Sequence, residues 1–144
     1  MYNQEVDCDP EERLPPDLLQ AACLSSGEWA WSPELIPRLI AEAEKLGLLN
    51  VGGQLKFVLP GEVCECWWVS VDPLEDEPTG LSWDERVSRA ASRALQGFAQ
   101  LCADYDFEVE GRRTFGQQLG AYAASGGELS KVTFFVWYLE AEEV

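Results

Sequence analysis

The hydrophobic patterning of this chain predicts an α+β fold. The expected architecture is a mostly antiparallel sheet of about four strands, packed against a long amphipathic helix and shorter helices. Three observations carry that expectation. From Val87 to Tyr105 apolar residues recur at alternating steps of four and three, the spacing of one helix face. On either side of Pro60-Gly61 the apolar positions alternate instead, which is hairpin patterning. Residues 131–139 (KVTFFVWYL) are apolar on both faces, as a covered strand is. A chain of 144 residues supplies material for one such domain, expected over 14–144. Residues 1–13 are rich in carboxylates with little to bury and are expected to form a flexible acidic arm.

In chain order, Pro15-Pro16 opens a short helix over 17–24, with Leu18, Leu19, Ala22 and Cys23 on its apolar side and Ser25-Ser26-Gly27 ending it. Ser32-Pro33-Glu34 reads as cap, first-turn proline and early carboxylate of the next helix. Leu35, Ile36, Leu39, Ile40, Ala43 and Leu46 keep helical spacing until Gly47. Pro37 disfavours helical geometry at Ile36, so the regular helix is expected from Pro37.

The hairpin follows. Leu55, Phe57 and Leu59 share one face of its first strand, 54–59. On the return strand, 62–71, Val63, Glu65, Trp67, Val69 and Val71 face one way and Cys64, Cys66, Trp68 and Ser70 the other. Both faces are apolar enough for a central strand. After an acidic, proline-bounded loop at 72–80, Ser82 and Glu85 form a capping box, and the long helix runs from it. Arg86, Arg89 and Arg93 share its opposite face. Residues 106–110 alternate as a strand, Gly111-Arg112 suggests a turn, and 114–124 a short helix closed by Gly126-Gly127.

Charge and composition bound the function. There are 26 Asp and Glu against 10 Lys and Arg and no histidine, a formal charge of −16. That balance argues against nucleic-acid phosphates and against anionic membrane surfaces as partners. Without histidine no Ser-His-Asp or Cys-His centre exists, and the commonest metal ligand is missing. Nothing else in the sequence calls for a cofactor or metal. Five cysteines at 8, 23, 64, 66 and 102 are an odd, irregular set. With an acidic rather than signal-like start, they point to reduced thiols and a cytoplasmic location. Cys64 and Cys66 fall on one strand face and are expected to pack as small apolar groups.

The candidate contact residues are acidic and aromatic. Carboxylates cluster at Asp72, Glu75, Asp76 and Glu77 and again at Asp104, Asp106, Glu108 and Glu110. Clustered charge steers a basic partner, whereas the same charge spread evenly selects little. Trp29, Trp31 and Trp83 lie in connecting segments or at a helix start, where tryptophan beside carboxylates makes a binding anchor. Helix-end staples explain them as well.

With these acidic clusters, three anchor tryptophans, no histidine and no active-site motif, the chain resembles immunity proteins of bacterial toxin–immunity systems. That resemblance implies a protein partner, a basic toxin or effector domain, whose active or substrate-binding surface is occluded. The alternatives are a small enzyme working with carboxylates alone and a structural or scaffold subunit.

Overall fold

The computed structural model describes residues 9–143. Over these described residues the fold is α+β, with one five-stranded antiparallel sheet and four α-helices. The strands are β1 (Cys23–Ser25), β2 (Glu28–Trp31), β3 (Leu49–Leu59), β4 (Glu62–Val71) and β5 (Thr133–Glu140). Their order across the sheet is β1-β2-β5-β3-β4. The helices are α1 (Pro16–Ala21), α2 (Ile36–Lys45), α3 (Trp83–Asp104) and α4 (Phe107–Ala124).

The apolar strand expected at 131–139 is β5, and it lies at the centre. Its neighbours are set by register: Phe135 is opposite Trp31 on β2 and Leu55 on β3. Those three therefore share one face, and all are fully buried. Phe98 of α3 meets Phe135 edge-on at 5.1 Å between ring centroids, and Phe107 of α4 reaches the same ring at 5.5 Å. α1 closes over this face as well, where its Leu18 carbonyl accepts from Trp31 Nε1 at 2.8 Å.

Ser82 and Glu85 form the expected reciprocal cap at the start of α3. Val87, Ala91, Ala94 and Phe98 are its buried stripe. Gly47 stops α2 with φ +72°, while Ile36, not Pro37, begins it: proline's missing amide costs nothing in a first turn.

Four expectations are corrected. First, residues 106–110 are not a strand but the first turns of α4. Asp106 caps that helix by accepting from the Val109 amide at 3.2 Å, and early carboxylates suit a helix N-terminus. Gly111 is no turn either. A Cβ there would stand 2.4 Å from the Phe57 ring, so glycine is what lets α4 lie close to β3.

Second, Ser26-Gly27 does not end a helix. Both residues have positive φ (54° and 76°), which is the two-residue turn that matches strand twist. It joins the short strands β1 and β2. Third, β4 is an edge strand, not a central one. A register shift against β3 between Gln54 and Leu55 changes which residues face the core. Cys64 and Cys66 point inward before it, Val69 and Val71 after it, and Trp67 is left 70% exposed. Fourth, part of the expected acidic arm is ordered. Residues 1–8 lie outside the described residues, but Pro10–Arg13 form a 3-10 helix. Glu11 within it is buried and accepts from the Leu139 amide at 2.9 Å.

Cys64 and Cys66 pack in the core as small apolar groups. Burial pushes both thiols up, that of Cys66 to about 11, which keeps them protonated and unreactive.

Candidate protein-binding surface

Two acidic surfaces contain carboxylates singled out in the sequence, and they differ in how their charge is compensated. The first is the loop at 72–80. It is held on α3 by the arginine face, whose members lie three and four residues apart and so stack along one side. Arg86 reaches Glu77 Oε1 at 3.0 Å. Arg89 donates to the Asp76 carbonyl at 3.5 Å. Arg93 donates to the Pro73 and Glu75 carbonyls at 3.1 and 3.3 Å. Asp76 sits at φ 57°, and successive turns from Asp72 to Glu75 and Leu74 to Glu77 fold the loop back. Asp72, Glu75 and Asp76 are exposed. Beneath four carboxylates, however, lie three guanidinium groups. The loop is well ordered but nearly neutral as a unit.

The second surface is less compensated. Glu34, in the 3-10 turn before α2, comes together with Asp106 and Glu108 at the start of α4. With Phe107, Ser130 and Thr133 they line a concavity of about 270 Å³. All three carboxylates are exposed. The cation bonded to this set is Arg112, which donates to Glu108 at 3.0 Å. Sequence reasoning missed Glu34 because it is far away in the chain. It placed Asp106 and Glu108 on one strand face, whereas a helix brings them together as cap and second helical residue.

The remaining candidates are divided. Asp104 closes α3 and accepts from Gln100 at 2.8 Å. That same Gln100 lines an open concavity of about 400 Å³ with Asp72, Arg93 and Gly97. The 11 residues from Arg93 to Asp104 rise about 16 Å along α3, so loop and helix end are separate patches bridged by glutamines. Glu110 is turned inward, where it accepts from Trp68 Nε1 at 3.1 Å and meets Arg113 at 3.4 Å.

Trp31 is fully buried and cannot be a contact anchor. Trp29 is half-buried, stacked on Trp31 at 6.5 Å and donating to Asp9 at 3.1 Å. Trp83 is half-buried, with Nε1 on the Gly47 carbonyl at 2.9 Å; it ties the start of α3 to the end of α2. The tryptophan left at the surface is Trp67, on the strand that the patterning placed at the centre of the sheet. It shares the outward face of Val63 and Glu65, opposite the buried Cys64 and Cys66, and the register shift that follows turns only Val69 and Val71 inward.

Among the described residues the buried carboxylates are Glu11 and Glu110, and both are occupied as acceptors. Among the described residues no three of Asp, Glu and Cys converge as a metal requires, and no helix is long and apolar enough to cross a membrane. Comparison of the chain with protein-family models, curated proteins and solved structures returns no match.

Proposed function

We propose that this chain is an acidic protein-binding module of the cytoplasm, acting as an immunity protein that occludes a functional surface of a basic toxin or effector. The observation that carries the reading is the concavity between Glu34 and Asp106-Phe107-Glu108. Three exposed carboxylates surround a partly apolar floor, a fit for a lysine or arginine side chain whose charged tip is met while its stem packs on Phe107. The sites are carried on the ordered starts of helical segments, so little ordering entropy is lost on binding. The clamped loop at 72–80 is a secondary contact, offering fixed shape more than charge.

The test is affinity capture from the source cell with the full chain, at low and high salt. It compares wild type with Glu34→Lys/Glu108→Lys and with Glu75→Lys/Asp76→Lys. The expected result is a basic partner lost at high salt and lost in the Glu34/Glu108 variant, with a smaller loss in the loop variant. Co-expression of that partner should arrest growth, and the wild-type chain should relieve the arrest. Retention of the same partner by the Glu34/Glu108 variant, or a partner as acidic as this chain, overturns the reading.

A further inference from the structure

β4 is ten residues long and forms one edge of the sheet. Its inner edge pairs with β3 through Leu59↔Glu62, Val58↔Val63, Phe57↔Cys64, Lys56↔Glu65 and Leu55↔Cys66. In an antiparallel ladder, alternate pairs exchange bonds while those between turn their amides and carbonyls away from each other. The Val58 amide bonds to the Val132 carbonyl on the far side of β3, at 2.9 Å. Val58↔Val63 is thus one of the outward pairs, and Lys56↔Glu65 is the next. The backbone amides and carbonyls of Val63 and Glu65 accordingly point out of the sheet, on the side where, among the described residues, β4 has no neighbouring strand.

Natural sheets guard such edges with charged side chains, lysine above all, with proline, a bulge or a covering element; β4 has no lysine or proline, and its edge charges, Glu62 and Glu65, repel acidic strands but not cationic ones. Its register shift guards only the later half, beyond Cys66. The side chains of Val63 and Glu65 lie on the face opposite the buried Cys64 and Cys66. Val63 and Trp67 are among the exposed large hydrophobics, and Glu62 and Glu65 are exposed beside them.

We infer that β4 accepts an extended, cationic segment of a protein partner as a sixth strand. Main-chain bonds to Val63 and Glu65 would hold it, and its side chains would alternate between apolar residues and Lys or Arg. The charge decides the occupant. A cation beside Glu65 makes a favourable cross-strand pair, and one over Trp67 gains from the ring. A second copy of this chain would instead bring two units of −16 together. This edge is separate from the Glu34/Asp106/Glu108 concavity, so either assignment can fail alone.

The experiment is amide hydrogen exchange on the full chain, with a short capped peptide alternating lysine and valine as the probe. In the free protein the Val63 and Glu65 amides should exchange fast, and the Cys64 and Cys66 amides slowly. At about ten times Kd the peptide should slow exchange at Val63 and Glu65 about tenfold. The same peptide with glutamate for lysine, or N-methylated on its pairing edge, should leave both amides fast. Val63→Pro removes an outward donor without breaking a ladder bond and should abolish binding; should that variant not fold, the N-methylated peptide still decides. The Glu34→Lys/Glu108→Lys chain should bind the probe as wild type does. Protection of Val63 and Glu65 in the free chain overturns the inference. So does equal binding of the N-methylated or glutamate peptide, or protection that appears at 106–110 instead.

Discussion

Trp137 of β5 donates its indole N–H to the Oδ1 of Asn50 of β3 at 2.8 Å, with both side chains fully buried. Asn50 in turn donates to the Ile40 carbonyl of α2 at 3.3 Å. One amide thus joins two strands and a helix inside the core. Asn50→Leu fills similar volume but strands the indole donor, and an unsatisfied buried donor costs about 1–3 kcal/mol. Urea unfolding should show a lower midpoint with an unchanged slope. A variant as stable as wild type would mean that water replaces the lost partner.

Trp31 and Trp67 should behave oppositely. Trp31 is fully buried, so Trp31→Ala should cost about 3–5 kcal/mol through the cavity it leaves. Trp67 is 70% exposed, and its alanine variant should unfold within about 0.5 kcal/mol of wild type while losing affinity for a cationic strand. Denaturant melts of the two variants side by side check this.

β3 is irregular where Gly52 and Gly53 lie. A Cβ on Gly53 would stand 1.8 Å from the Val136 carbonyl oxygen, and one on Gly52, at φ +122°, 2.2 Å from that of Val71. Neither backbone atom can retreat without breaking the sheet. Gly53→Ala should cost more than about 3 kcal/mol, visible as loss of folded protein at ambient temperature. Gly116→Ala, with open space around its Cβ, should be neutral or stabilising.

Glu11 supplies a pH dependence. Burial, opposed by the Leu139 amide, raises its carboxyl above the ordinary value of 4.5. The folded chain therefore holds this proton more tightly than the unfolded chain. The Glu11 contribution to stability is full below the unfolded pKa and declines as pH rises through the folded one. Glu11→Gln lacks that decline, so relative to wild type it should gain stability from about pH 4 upward and then level off. A wild-type-minus-variant difference in urea midpoint that is flat across that range would refute the sign.

What the sequence revealed follows how local each cause is. The Ser82–Glu85 box lies within one turn, and the stripe from Val87 to Phe98 is strictly periodic; both were readable. Residues 106–110 alternate with period two, yet the Asp106 cap and the approach of Gly111 to Phe57 commit them to a helix. That approach is a tertiary fact, absent from any short window. β1 and β2 are too short to show alternation, although Ser26-Gly27 between them carried the turn signal. The candidate surface was legible as residue types and not as a place. Asp106 and Glu108 were named, but Glu34 joins them only when the turn before α2 meets α4, and Trp31 was drawn inward by the Leu18 carbonyl.

Because β5 separates β2 from β3, the two hairpins share no ladder, and a lone hairpin is marginal in water. On the ribosome, β1–β2 and β3–β4 emerge long before residues 133–140, with the facing edges of β2 and β3 both open. The sheet can close only when that last strand slots between them. Folding is thus timed by the emergence of β5, and the interval before it is when the nascent chain is most exposed to aggregation and most dependent on chaperones.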